Sequence, residues 1–395
     1  MSSLRGAAAI TGIGETALGH LPGSNVMDLC AESARLCIED AGIDKDQVDG
    51  LIAFGSRVED HTRFQALLAE HLGMPAKHYT DVTKTGGASS ASAVRTAVSL
   101  IATNQCDNVM IVFADNLSSG LGPDGIIPIF AAHHHLEYEL PFGPLIISLY
   151  ALVARRLMIE YGWTPEQVAH AAVAARQWAA LNPKAALRDT PITVADVMAS
   201  RPITTPLRRA DCSLISDGGA ALLVSRADHA RGGRKKPVYL LGAGSMFSYY
   251  YIHNLPNFTD YLIDLGAESA NRAKDIARLG NKDMDMAFLG DPVSWCVPAN
   301  LASMGFCNIR DAAEFVASGA IAPGGALPVN THGGNLACAH PGTPGQTLPI
   351  IEAVRQLRGE AGARQQKKAN TAMVHGQAGV LTSHCTLVLG TEDTL

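Results

Sequence analysis

The chain states one pattern twice, and that repetition limits what it can fold into. Ala8-Ala-Ile-Thr-Gly-Ile-Gly-Glu15 is echoed by Val238-Tyr-Leu-Leu-Gly-Ala-Gly-Ser245, each an apolar strand ending in Gly-x-Gly. Val48-Asp-Gly-Leu-Ile-Ala-Phe-Gly55 pairs with Met284-Asp-Met-Ala-Phe-Leu-Gly290, and Asn108-Val-Met-Ile-Val-Phe113 with Thr371-Ala-Met-Val-His375. Ala220–Val224 and Cys385–Leu389 close the two series. A glycine pair, Gly86-Gly87, precedes a helical pattern in the first series. Its expected counterpart is Gly333-Gly334, ahead of the periodic run Ile350–Leu357. Anchors recurring in one order predict two similar βαβαβ-type halves about a pseudo-twofold axis, with both elbows facing a central site. The break falls at 232–237, giving halves of 1–230 and 237–395. The first half carries a surplus between Asn116 and about Pro206, a natural place for substrate contacts or a subunit surface.

Composition removes several functional classes. Of 395 residues, 47% are hydrophobic and 17% charged, which supports a large folded core. The net charge of −6 and the lack of a long basic run argue against nucleic acid. No apolar window is long enough for a membrane span, and the N-terminus lacks a signal-peptide core. Eight scattered cysteines without a C-x-x-C pair fit reduced thiols in a cytoplasmic protein. His133-His134-His135 invites a metal, but adjacent side chains in extended backbone alternate in direction, so none is expected.

The stretch Asp81-Val-Thr-Lys-Thr-Gly-Gly-Ala-Ser89 has the outline of a nucleophile elbow. Such a turn lifts one side chain onto a helix N-terminus, where negative charge is favoured. At Gly87 that side chain is a hydrogen atom.

These residues resemble the thiolase superfamily, in its sterol-carrier-protein-type and lipid-transfer-protein branch. The most specific stretches are Cys212-Ser-Leu-Ile-Ser-Asp-Gly-Gly-Ala220, Leu327-Pro-Val-Asn-Thr-His-Gly-Gly334, Ala337-Cys-Ala-His-Pro341 and Ile351–Gly359. Tyr161-Gly-Trp-Thr164 and Leu181-Asn-Pro-Lys-Ala185 are similar to that group's loop region. The resemblance implies a five-layered α/β/α/β/α thiolase fold, a homodimer and an acyl-coenzyme A ligand. No permanently bound cofactor is implied, because coenzyme A arrives as part of the substrate. Thiolases carry an acylated cysteine where this chain has Gly87, and a second cysteine in the loop that here reads Val374-His-Gly-Gln-Ala-Gly379. The family's Asn-Glu or His-Asp pair is replaced by Gly290-Asp291-Pro292, while its Gly-His-Pro histidine is retained as His340.

Without a thiol, acyl transfer through a covalent intermediate loses its nucleophile, whereas retro-aldol cleavage of a β-hydroxyacyl thioester needs only a base and an oxyanion site. His340 and a backbone N–H near Gly376 are the expected oxyanion donors. Candidates for the base are Tyr249, Tyr250 (preferred) and Tyr251, with Asp291, His332 and His375. Gly87, Ser89, Gly334, Asn335 and Gly376 are expected to border the substrate, and Arg208, in a run with Arg201 and Arg209, to meet coenzyme A phosphate. Relatives with Gly-Gly-Ala-Ser at this elbow look like side-chain-cleaving aldolases that work with a small zinc-ribbon and OB-fold partner of the DUF35 type. Those aldolases carry a tyrosine within the stretch that here reads Ala337-Cys-Ala-His340. Three readings stand at this level: a carbon–carbon lyase on a bulky β-hydroxyacyl-coenzyme A, a thiolase or acyltransferase cleaving a β-ketoacyl-coenzyme A with unorthodox residues, and a catalytically silent acyl-coenzyme A-binding subunit.

Overall fold

The computed structural model describes residues 4–395, apart from 60, 76, 84, 123–124 and 249–257. The first half runs β1 (Ala8–Glu15), α1 (Val26–Ala41), β2 (Gly50–Ala53), α2 (Phe64–Leu72), β3 (Tyr79–Val82), α3 (Ser89–Ala102) and β4 (Asn108–Asn116). An inserted region follows, with α4 (Ile126–Ala131), α5 (Ile146–Tyr161), α6 (Pro165–Ala180), α7 (Val194–Ala199), β5 (Pro202–Thr204) and β6 (Leu207–Arg208). Then come β7 (Asp217–Arg226) and the short α8 (Ala227–Ala230). The second half is β8 (Val238–Phe247), α9 (Phe258–Ala277), β9 (Met286–Leu289), α10 (Cys296–Met304), α11 (Ala312–Ala317), α12 (Gly334–Ala337), α13 (Leu348–Arg358), β10 (Thr371–Ala378) and β11 (Ser383–Gly390).

Strand order exposes the duplication. The sheet reads β3-β2-β4-β7-β1-β8-β11-β10-β9, and Val329 adds a parallel bridge outside β9 at Ala287. Both halves therefore place their last strand antiparallel between two others, β7 between β1 and β4 and β11 between β8 and β10. The halves join where β1 and β8 pair antiparallel, Ala9 opposite Tyr239 and Ile10 opposite Val238. Helices α3 and α13 fill the space between the inner faces, in one core with Ile10, Phe113, Leu222, Leu240, Phe288 and Leu389. Helix α1 covers the outer face of the first half and α9 that of the second, completing five layers.

The repeated Gly-x-Gly is a packing device. A Cβ at Gly12 or Gly14 would stand 2.5 or 2.1 Å from the carbonyls of Cys37 and Ser33 on α1. A Cβ at Gly242 or Gly244 would stand 2.0 or 2.1 Å from those of Ala273 and Ser269 on α9. In both halves, the missing side chains let a helix backbone settle directly on the first strand.

One anchor of the repeat moves. The long helix α13 is opened by a 3₁₀ turn at Thr343–Gln346, just as α3 is opened by one at Gly86–Ala88. That turn, rather than Gly333-Gly334, is the counterpart of the first elbow. Residues 330–342 are an excursion ahead of it, containing the four-residue α12. The glycines misled because they serve close approach: a Cβ at Gly334, whose φ is +63°, would stand 2.0 Å from Asp291 Oδ2.

Buried ion pairs clamp this excursion. Glu352 of α13, wholly buried, receives two bonds of 2.9 Å from Arg364, and its Oε1 accepts the Thr331 hydroxyl at 2.8 Å. Glu15 at the end of β1 meets Arg355 and Lys184, each at 2.9 Å. The loop after α6 is laced to the excursion, with Asn182 Nδ2 donating to His332 O and the N–H groups of Ala186 and Leu187 to Cys338 O and Ala337 O. Removing one partner of such a pair leaves an uncompensated buried charge. Glu352→Ala is expected to lose about 3–5 kcal/mol of stability in urea unfolding, and Glu352→Gln less.

Candidate active site

His340 sits where the excursion meets the loop ahead of β7. Its Nδ1 lies 2.9 Å from Ser213 Oγ, and its backbone N–H donates to Ser216 Oγ at 2.7 Å. Ser213 is itself held by its N–H to Pro292 O at 3.0 Å. Burial, with the nearby Arg57 charge, lowers the imidazole pKa to about 4, so the ring is neutral at neutral pH. Nε2 takes no hydrogen bond from any described residue. With Ser213 donating to Nδ1, Nε2 carries the proton and is a donor for a ligand oxygen.

Behind it, Asp291 is committed. Its carboxylate oxygens accept the N–H groups of Asn335 at 2.8 Å and Leu336 at 3.4 Å, capping α12. Burial nevertheless raises its pKa to about 7. Asn335 beside it is wholly buried, and neither polar atom of its carboxamide has a partner among the described residues.

The elbow is closed. A Cβ at Gly87 would stand 2.2 Å from the backbone carbonyl of Gln377 and 3.3 Å from Gln346 Cγ. A Cβ at Gly376 would stand 2.9 Å from Gly87 O and 3.2 Å from Ala88 Cα. The end of β10 is thus pressed, backbone on backbone, into the place a nucleophile would occupy. Ser89, fully buried, has its hydroxyl 3.2 Å from that of Thr85. The Gln377 side chain receives the Leu381 N–H at 3.3 Å and reaches the hydroxyl of Tyr150 on α5.

The structure separates other expected residues from this centre. His375 faces the outer layer, with Nδ1 2.8 Å from Thr386 Oγ1 and Nε2 3.0 Å from His384 Nδ1. Because strand side chains alternate, Gly376 facing the elbow sends His375 to the opposite side. His332 is buried under α13, where its charged neighbours are Glu352, Arg364, Glu15 and Arg355, and neither Asp291 nor His340 is among them. Tyr250, with Tyr249 and Tyr251, lies outside the described residues. Arg208 donates to Ser200 O at 3.3 Å and lines a cavity of about 400 Å³ with Arg155, Ile159, Trp163 and Pro206, at the edge of the inserted region. The histidine triple does not converge: His133 Nε2 lies 3.5 Å from Arg57, His134 lies 3.7 Å from Glu139, and His135 accepts the Glu137 N–H. Sequence reasoning missed Ser213, although its motif was in view as a fold signature, and the Gln377–Tyr150 contact, which has no local signal.

Two outcomes are expected. Gly87→Cys will not gain thiolytic activity toward a β-ketoacyl-coenzyme A and will lower the thermal midpoint, because its Cβ displaces β10. Stability will also fall as pH drops from about 7 to 5. His332 and His384 are lowered by burial to about 4, and His375 well below its ordinary value. Below the unfolded value near 6.5 the unfolded chain binds more protons, costing about 1–2 kcal/mol per imidazole at pH 5. Asp291, raised to about 7, acts in the opposite sense, as do Asp115 and Asp211, which burial also raises, but the lowered imidazoles, His340 among them at about 4, are more numerous. Urea midpoints measured at both pH values check the sign.

Comparison with known proteins agrees with this architecture. A family model for the thiolase N-terminal domain matches residues 7–228, and one described as thiolase C-terminal domain-like matches residues 244–391. A steroid side-chain-cleaving aldolase of Thermomonospora curvata is 34% identical, covering 99% of this chain and 100% of its own. An acetyl-CoA acetyltransferase of Methanothermobacter thermautotrophicus is 31% identical, covering 94% of this chain and 96% of its own. Among solved structures, that of an Ltp2-ChsH2(DUF35) aldolase superposes with a TM-score of 0.87 at 33% identity, covering 98% of this chain and 99% of that one. With both halves matched in order along its length, the chain belongs to the thiolase family.

Proposed function

We propose that the protein is a carbon–carbon lyase that cleaves a bulky β-hydroxyacyl-coenzyme A by a retro-aldol reaction, with no acyl-enzyme intermediate. The observation that carries this reading is the contact between Gly87 and the Gln377 carbonyl, beside a His340 whose Nε2 has no partner among the described residues and can donate to a ligand. The similarity to a steroid side-chain-cleaving aldolase supports it. A base removes the β-hydroxyl proton, and that oxygen becomes the carbonyl of the departing ketone or aldehyde as the Cα–Cβ bond breaks. The electron pair passes to the thioester, whose oxygen becomes an enolate held by His340. A proton then returns to Cα, leaving a shortened acyl-coenzyme A. No free coenzyme A is consumed.

For the base we retain the run Tyr249–Tyr251, with Tyr250 preferred. Asp291 is engaged in capping α12, while His332 and His375 face other surroundings. Gly87, Gly376, Ser89 and Gly334 shape the walls rather than contribute side-chain chemistry. The Arg155–Arg208 cavity suits the phosphates and adenine of coenzyme A, with Trp163 as an apolar wall. We take the two halves to be 1–230 and 237–395, and the protein to be cytoplasmic, in keeping with its free cysteines. A homodimer is supported by β3, an edge strand whose Thr80 and Asp81 are exposed. A small DUF35-type partner is supported by the similarity to the Ltp2-ChsH2(DUF35) aldolase.

The test is mass-spectrometric product analysis of the purified protein, with and without a co-expressed DUF35-type partner, on β-hydroxyacyl and β-ketoacyl thioesters. Shortened acyl-coenzyme A plus a free carbonyl compound, formed without added coenzyme A, is expected. His340→Ala should lower that rate by roughly 100-fold or more, as loss of an oxyanion donor does. Cleavage of the β-keto compound alone, and only with added coenzyme A, would favour the acyltransferase reading that the similarity to an acetyltransferase keeps in view.

A further inference from the structure

The His340 site contains a buried polar side chain without a partner among the described residues. Asn335 is committed through its backbone: its N–H donates to Asp291 Oδ1 at 2.8 Å, and its carbonyl accepts the Leu214 N–H at 3.3 Å. Its carboxamide, at zero exposure, has no partner for Nδ2 or Oδ1 among the described residues. Burying an amide without partners is destabilising, and an apolar side chain of the same size would remove that penalty. His332 in the same loop is also without a partner among the described residues, but it lies under α13, whereas Asn335 stands next to His340, where a broken local rule points to a functional group.

Geometry says what the group faces. The point where a Cβ on Gly345 would stand is 2.7 Å from His340 Cδ2 and 3.4 Å from Asn335 Oδ1. Cδ2 is bonded to Nε2, so the donor edge of the imidazole and the Asn335 carboxamide flank the same side of Gly345; with neither amide atom partnered among the described residues, a half-turn of the carboxamide puts Nδ2 where Oδ1 stands. The backbone near Gly376, the other expected source of a donor, is packed against Gly87 O and Ala88 Cα.

We propose that Asn335 Nδ2 and His340 Nε2 together bind the thioester oxygen of the acyl-coenzyme A and stabilise it as the enolate forms. This rests on the reading of the ligand as an acyl thioester, but not on cleavage of a carbon–carbon bond. The same pair would serve any reaction through a thioester enolate, so enolisation can be measured separately from cleavage.

The experiment follows deuterium entry into the methyl group of acetyl-coenzyme A in D2O. The group that protonates Cα in cleavage removes that proton in reverse, and wild-type protein is expected to catalyse the exchange. Asn335→Leu should lower the exchange rate roughly 100-fold while leaving the thermal midpoint unchanged or higher, since it removes an unpaired buried amide. Asn335→Asp, which keeps the shape but replaces the donor by an oxygen, should lose exchange as well. Exchange within threefold of wild type in Asn335→Leu overturns the proposal. So does a lowered midpoint or failure to fold in that variant, which would make the carboxamide a structural partner, and so does absence of exchange in the wild type. Exchange that depends on Asn335 without cleavage of any β-hydroxyacyl thioester would sink the lyase reading and leave this one standing.

Discussion

The contact on which the site depends is between two backbones. At the end of β10 the Gln377 carbonyl occupies the volume that a side chain at residue 87 would need. Gly376 packs reciprocally on Gly87 O, so the two segments close together only because both positions lack a Cβ. Restoring a nucleophile would therefore require moving a strand in the middle of the molecule. With an elbow and its helix retained but no room for a thiol, chemistry shifts to groups that bind and polarise a thioester without attacking it. Nucleophilic catalysis needs an activated side chain, whereas enolate chemistry needs fixed donors near the developing charge.

Those donors stand on the part of the chain that breaks the pseudo-twofold symmetry. Both halves use the same strand order and the same glycine-mediated seating of an outer helix on the first strand. The excursion 330–342 interrupts that correspondence, and it carries Asn335 and His340. An irregular segment in a molecular interior must satisfy its own polar groups. Here Glu352, paired with Arg364, accepts the Thr331 hydroxyl, Asn182 grips the His332 carbonyl, and Asp291 caps α12. Two side chains of the segment, the Asn335 carboxamide and the His332 ring, have no hydrogen-bond partner among the described residues, and the first of them stands beside His340. The neutral His340 ring, fixed through Ser213, completes the proposed binding point.

Much of the fold was legible because the repeat is written in strands. Apolar runs ending in Gly-x-Gly marked both first strands, and the later anchors fell on β2, β9, β4, β10, β7 and β11. The elbow anchor slipped because Gly333-Gly334 imitate an elbow while performing a different task, close approach to Ala179 and Asp291. His340 was readable from its motif. His375, adjacent to the elbow in sequence, turns to the outer layer, since the residue beside an elbow-facing glycine must look the other way. Asp291 is a candidate base in the sequence because its partners are backbone N–H groups that no sequence pattern displays. Ser213, Gln377 and Tyr150 enter the site from distant segments, and only the packed structure brings them in.

The central claim is that acyl thioesters are processed here without being attached to the protein. Rapid-quench intact-protein mass spectrometry during turnover tests it most directly. The account predicts an unmodified protein mass at every time while product accumulates. A transient species heavier by the acyl group, mapping to any side chain, would contradict it.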